Sequence, residues 1–273
     1  TRRSSDLAGL LYAYLSRQTA SDKAVRALLP HRPQSFGERV LLGFSLMVLL
    51  LCCLLPLAAV VFLATSAGGS WGVLLEQETL AAGWNTLRFS GMAVLTAVVL
   101  GVMYAAVARR VAWVRGLVFL PFMVSPVCIA AGILLLYPQW TASLPLLVAT
   151  YALLAYPFVA KDVLAAWDDL PEDYVSAARG MGANAFQTTL YVTAPLLKPA
   201  LRRGLTLAAA TCIGEFAATL FLSRPEWQTL TTLIYSYLGR AGEDNYARAM
   251  VLTTVLMLLS LMVFLLLDER EKT

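Results

Sequence analysis

Residues 40–64 read VLLGFSLMVLLLCCLLPLAAVVFLA, without a single charged side chain. About 20 consecutive apolar residues suffice to cross the hydrocarbon of a bilayer, so this stretch is long enough to span. Hydrocarbon offers no partner for a backbone amide, and only a helix satisfies those groups within one segment. Five more stretches have similar length and apolarity: 86–107, 116–136, 146–164, 204–222 and 248–267. The whole chain is 59% hydrophobic and 14% charged, with a mean hydropathy of +0.70. A soluble domain carries about 25% charged residues, so water is not the principal solvent of this protein. The fold class expected is all-α, a polytopic transmembrane helical bundle with about six spans.

The basic residues orient that bundle. Arg2, Arg3, Arg17, Lys23, Arg26, Arg32 and Arg39 precede the first span, and Arg109, Arg110 and Arg115 follow the second. Lys161 lies in the last turn of the fourth, Arg179, Lys198, Arg202 and Arg203 lie between it and the fifth, and Arg270 and Lys272 are in the tail. All of these fall on one side, whereas the opposite connections hold only Arg224, Arg240 and Arg248. Lys and Arg are retained on the cytoplasmic side, so both termini are expected in the cytoplasm. The net charge of +4 and pI near 8.9 are explained by this topology and not by a nucleic-acid partner, because the charges form short clusters between apolar runs.

Residues 1–37 read as a cytoplasmic linker, with Pro30 and Pro33 flanking a solvated His31, and 38–273 as a six-helix domain. The apolar piece at 7–15 is too short to span. If it ends a preceding helix, the chain is the second half of a fused protein. Cys52, Cys53, Cys128 and Cys212 sit in apolar stretches with no C-x-x-C spacing, and are read as small buried hydrophobes; no metal site is expected.

The longest internal connection on the cytoplasmic side is 161–203. Pro171 suits a first helical turn, and Glu172 and Asp173 complement the positive end of a helix dipole. A short helix is expected to run to about Met181, with Gly182 as its left-handed cap. Asn184 and Gln187 form a capping-box pattern that opens a second helix ending before Pro195. Ala177, Ala178 and Gly180 leave little bulk on the first helix, so another protein surface can approach its backbone. The alternative is an amphipathic helix resting on the membrane surface.

The run Ser176-Ala177-Ala178, three residues, Gly182, nine residues, Val192, one residue, Ala194-Pro195 resembles the EAA signature of ABC importer permeases, E-A-A-x3-G-x9-I-x-L-P. Both spacings match; Ser176 stands where glutamate is usual, Val192 where isoleucine is, and Ala194 where leucine is. The resemblance implies a type I ABC importer permease fold. It also implies that Ser176, Ala177, Ala178, Arg179, Gly180, Met181 and Gly182 couple to a cytoplasmic ABC ATPase dimer, which holds ATP and Mg; this chain itself carries no cofactor. Further partners implied are an extracytoplasmic solute-binding protein, a second permease half, fused or separate, and membrane lipid. The location implied is the bacterial-type inner membrane. Cys212-Ile-Gly-Glu-Phe-Ala-Ala-Thr-Leu-Phe-Leu-Ser-Arg-Pro-Glu-Trp-Gln-Thr-Leu is similar to permeases of the ferric-iron and thiamine group, commonly two fused halves, which makes those two the expected cargoes.

Asp162 falls in the last turn of the expected fourth span, and Glu215 is the only acidic residue near the middle of one, where an ionised carboxylate costs a few kcal/mol unless paired or hydrated. With Gly214 and Phe216 it is a candidate for the translocation path, and a structural ion pair or hydrogen bond is the other reading. Ser125 and Pro126 are path candidates because Pro121 and Pro126 interrupt the third span; a packing kink explains them equally. Arg88 is expected to snorkel to the interface. The aromatics of 223–246 form an interfacial belt or a surface for the binding protein. No G-x-x-x-x-G-K-[ST] loop, H-E-x-x-H or G-x-S-x-G is present, so the chain is not expected to be an enzyme, and nucleotide belongs on a separate subunit. The alternative classes are an ATP-independent channel or ion-coupled carrier, which needs more intramembrane charge, and a non-transporting scaffold.

Overall fold

The computed structural model describes residues 35–140 and 142–267. The linker expected over 1–37, apart from its last three residues, lies outside the described residues, as do the 7–15 segment, His31, Arg270 and Lys272. Among the described residues every regular element is helical. The order is α1 (Phe36–Ser66), α2 (Gln77–Arg110), the single turn α3 (Ala112–Arg115), α4 (Pro126–Leu136), α5 (Leu144–Asp168), α6 (Glu172–Gly180), α7 (Ala185–Thr188), α8 (Ala194–Ile213), α9 (Ala217–Leu222), α10 (Leu230–Leu238) and α11 (Glu243–Leu267).

The chain divides into two compact units, one ending at Leu63 and one beginning at Ala64. In the first, α1 opens at Ser35, whose N–H donates to Glu38 Oε2 at 3.3 Å. A π turn over Leu50–Leu54 lies just ahead of Pro56. A proline ring clashes with the carbonyl four residues back, and widening the preceding turn relieves the clash without breaking the helix. No residue from Phe36 to Leu63 is buried, as expected of a helix whose solvent is lipid or a second polypeptide.

The second unit is built on α5, which packs along α2 on one side and α8 on the other. Small side chains make this close approach feasible. Ala93, Ala97, Gly101 and Ala105 form a buried stripe at four-residue spacing on α2, and Ala200, Gly204, Ala208 and Cys212 form another on α8. Both stripes meet α5 at Val159: a Cβ added to Gly101 would lie 2.7 Å from Val159 Cβ, and one added to Gly204 would lie 2.7 Å from Val159 Cα. In lipid there is little hydrophobic drive between helices, so close contact of small residues supplies the association. α11 closes the bundle against α8 and α10.

Among the described residues four helices are long and apolar enough to span: α1, α2, α5 and α11. The expected third and fifth spans are divided. Over 116–136 the chain makes a turn, a 3-10 segment at Leu120–Met123 and then α4, because Pro121 and Pro126 each lack a donor and Val124 and Ser125 are extended between them. Over 204–222 α8 stops at Ile213, and the chain leaves the helix axis at Gly214. It rises as α9, turns at Pro225 and returns, so that the Thr231 hydroxyl donates to the Glu215 carbonyl at 3.0 Å. α10 continues from that level along α11, so 214–229 is a hairpin inserted into the fifth span. The cysteine reading also changes: only Cys212 is buried, while Cys52, Cys53 and Cys128 lie on outward helix faces; all four are free.

Candidate functional site

The 161–203 connection is shorter than expected, since α5 runs on to Asp168 and takes in Lys161. What remains is a folded elbow. α6 follows Pro171, with Glu172 and Asp173 in its first turn and Arg179 in its last, each sign matching the dipole end it occupies. At its end the Gly182 N–H donates to the Arg179 carbonyl at 3.0 Å and the Ala183 N–H to the Ala178 carbonyl at 3.1 Å. These two bonds make a Schellman cap with Gly182 at the left-handed position, φ +90°. The capping box is present: the Gln187 N–H donates to Asn184 Oδ1 at 2.8 Å, and the Asn184 N–H donates to Gln187 Oε1 at 3.0 Å.

The second helix does not end before Pro195. A π turn over Thr189–Thr193 lets the Ala194 N–H reach the Thr189 carbonyl, which opens the turn ahead of Pro195, and α8 continues into the bundle. The elbow is therefore joined at one end to α5 and at the other to α8, the two helices that cross at Val159 and Gly204. Movement of α6 cannot be absorbed by a slack linker.

Of the seven residues expected to couple, Ser176, Ala177, Arg179, Gly180, Met181 and Gly182 are exposed. Ala178 is only 4% exposed and faces inward, where α6 folds onto α7 and the π turn. The Ser176 hydroxyl donates to the Asp173 carbonyl at 3.0 Å, so it is spent on its own helix where a glutamate would reach outward. Sequence reading missed Tyr174 and Phe186, which flank the turn; Phe186 is 73% exposed beside Met181 at 84%. Large apolar side chains on a polar loop mark a contact surface. Their signal in the sequence was an aromatic in the first turn of each short helix, with no core position for it to fill.

The root of the elbow is clasped. Arg115 Nη2 lies 2.7 Å from both carboxylate oxygens of Asp168, Arg115 Nε donates to the Ala108 carbonyl, and the Arg109 guanidinium sits 5.1 Å from the Trp167 ring centre. At the opposite end of the bundle, Glu76 accepts from Arg248 Nη1 at 2.8 Å and from the Tyr237 hydroxyl at 3.2 Å. Asp244 accepts from Arg248 Nε at 3.0 Å and from Ser70 at 3.1 Å. Tyr237 is buried and Trp227 is edge-on to Phe89, so these two serve packing, while Tyr235 and Tyr246 remain exposed. Arg88 is exposed, its guanidinium 5.4 Å from the Phe89 ring.

The path candidates fall at the two interruptions of the bundle. Ser125 and Pro126 open α4, Gly214, Glu215 and Phe216 precede α9, and α4 packs on α9, so the two half-helices are neighbours. Glu215 is 8% exposed; its Oε1 accepts from the Ala218 N–H at 3.1 Å, and its carbonyl accepts from the Tyr151 hydroxyl at 3.4 Å as well as from Thr231. Tyr151 also hydrogen-bonds Thr219. The carboxylate thus satisfies a backbone donor that the broken helix leaves open.

The chain is similar to known transport proteins along most of its length. A sulfate transport system permease protein of Escherichia coli (strain K12) is 28% identical over 83% of this chain and 90% of its own length. A probable molybdenum ABC transporter permease of Haloferax volcanii is 32% identical over 76% of this chain and 82% of its own length. A putative 2-aminoethylphosphonate transport system permease protein of Salmonella typhimurium is 28% identical, covering 80% and 89%. Among solved structures, a chain of a bacterial alginate ABC transporter shares the fold with a TM-score of 0.67 at 19% identity, covering 84% of this chain and 92% of its own. A chain of the MetNI methionine ABC transporter does so with a TM-score of 0.58 at 20% identity, covering 69% and 92%. The profile of the binding-protein-dependent transport system inner membrane component family matches residues 93–268, and the chain belongs to that family: it is a membrane component of a transport system and not an enzyme.

Proposed function

We propose that this chain forms one half of the translocation path of an ATP-driven importer and is moved by a separate ABC ATPase that docks on the 169–195 elbow. The observation that carries the reading is the Schellman cap at Gly182, which presents the small residues Ser176, Ala177, Gly180 and Gly182 on a hydrogen-bonded turn joined by short connections to α5 and α8. ATP and Mg belong to the ATPase. The Lys and Arg distribution puts the elbow and both termini in the cytoplasm and the Glu76–Arg248 clasp outside, where a solute-binding protein delivers cargo. A second permease half, fused or separate, completes the path.

The path runs past the breaks at Ser125-Pro126 and Gly214-Glu215-Phe216. Glu215→Gln keeps an acceptor for the Ala218 N–H and removes the charge. A several-fold change in uptake rate with normal assembly is expected, and unchanged kinetics would leave Glu215 as a cap alone.

For cargo, the sulfate, molybdenum and phosphonate permeases similar to this chain favour an oxyanion such as sulfate, molybdate or a phosphonate. The likeness of 212–230 to ferric-iron and thiamine permeases favours those two instead, but none of these three relatives is named for either. The test is reconstitution in proteoliposomes with the ATPase and binding protein that co-purify with the chain. ATP-dependent uptake of radiolabelled molybdate or sulfate is expected, and no ATP-dependent uptake unless iron or thiamine is supplied would reverse the cargo assignment. A chain that co-purifies with no ATPase would defeat the importer reading itself.

A further inference from the structure

The 214–229 hairpin is tied to one short stretch of α2. Asn85, only 8% exposed, donates one amide hydrogen to the Glu226 carbonyl and the other to the Gln228 carbonyl, each at 3.0 Å. The adjacent Thr86 hydroxyl donates to the Ala82 carbonyl at 2.8 Å and accepts from the Leu230 N–H at 2.9 Å, where α10 begins. One turn further, the Phe89 ring meets Trp227 edge-on with 6.1 Å between centroids. The chain around 223–229 is irregular, so the Glu226 and Gln228 carbonyls have no helical partners and are held by the Asn85 amide instead. Two such bonds from one buried amide, with the Thr86 bond and the Phe89–Trp227 contact beside them, fasten the hairpin at several points over one turn of helix.

α2 packs along α5, and α5 runs directly into the elbow. We propose that Asn85 is a positioning residue, whose amide locks the 214–229 hairpin to α2 so that the hairpin and α2 turn as one body when the elbow moves α5. The significance of that movement rests on the transport-path reading above, whereas the attachment itself rests on the contacts just given.

The test is a double substitution, Asn85→Cys with Gln228→Cys, in the complete transporter with its own ATPase and binding protein. The unmutated chain, with its four natural cysteines, is the control under the same oxidant. Reduced, the variant lacks both amide bonds, and uptake of radiolabelled molybdate or sulfate is expected to fall about tenfold. Oxidised, a disulfide between positions 85 and 228, identified by mass, is expected to restore uptake, and to form equally well in resting and vanadate-trapped transporter. A disulfide also stabilises a fold, so the readout that separates positioning from mere stabilisation is equal cross-linking in the two states, which requires hairpin and helix to stay together through the cycle. The proposal is overturned if the reduced variant transports normally, if the disulfide blocks uptake, or if it forms in only one of the two states. Should the unmutated chain show no ATP-dependent uptake, the path reading fails, and equal disulfide formation with and without ATP and vanadate still decides whether hairpin and helix are one body.

Discussion

Gly182→Val is expected to abolish ATP-dependent uptake while leaving the chain inserted in the membrane. The Gly182 backbone sits at φ +90°, where a β-branched side chain meets its own carbonyl neighbours, at a cost of about 1–3 kcal/mol. Nothing else lies within 4 Å of an added Cβ, so the loss is conformational and not a clash with the bundle. To escape the strain the chain must give up the bonds from Gly182 to Arg179 and from Ala183 to Ala178, which re-aims α6 relative to α7. The helices of the bundle are untouched, and for that reason insertion and expression should be normal. The informative measurements are uptake and ATPase co-purification from the same membranes. Gly182→Asn, which enters the left-handed region more readily, is expected to retain part of both. Full transport by the valine variant would remove the turn from the coupling mechanism.

Gly204→Leu is expected to have the larger effect on the fold itself. A Cβ at this position lies 2.7 Å from Val159 Cα, 3.1 Å from the Phe158 carbonyl and 3.2 Å from Val159 N. These are backbone atoms, which cannot rotate aside as a side chain would, so α8 must move away from α5. Overpacking a core costs about 1–3 kcal/mol, and a site whose neighbours are backbone falls at the upper end or beyond. The variant should be recovered from detergent as aggregate or with a markedly lowered unfolding temperature. Gly91→Ala is the matched control: nothing lies within 4 Å of its added Cβ, and a helical alanine gains about 0.5–1 kcal/mol over glycine. A Gly204→Leu protein as stable as the unmutated chain would show that the α5–α8 crossing does not hold the bundle.

The two sites are mechanically connected. The elbow ends in α5 and α8, and these helices touch at the crossing where Gly204 sits. Force applied at residues 176–182 reaches that crossing through the three-residue connection 169–171 into α5 and through α7 into α8, because the π turn before Pro195 preserves the helix that a proline would otherwise stop.

Much of the elbow was legible in the sequence because its determinants are local. Pro171, Gly182, Asn184 and Gln187 act on atoms within a few residues of themselves, so cap, turn and capping box could be read from order alone. The membrane class was legible for the same reason, since apolar length and charge between spans are properties of consecutive residues. The family followed from motif spacing, which the match over 93–268 bears out.

Three-dimensional packing decided the rest. Proline marked breaks correctly in the third span, yet the continuation through Pro195 depended on a widened turn that no single residue announces. The stripes 93–97–101–105 and 200–204–208–212 were present as a four-residue period of small side chains, but their partner, Val159 on α5, could be named only once the helices were assembled. Glu215 stood out as a charge, although its role as acceptor for Ala218 requires the helix to be broken there. Asn85 carried no local signal at all: the carbonyls it satisfies, at Glu226 and Gln228, lie more than a hundred residues away, and a hydrogen bond is fixed by distance in space and not by distance along the chain.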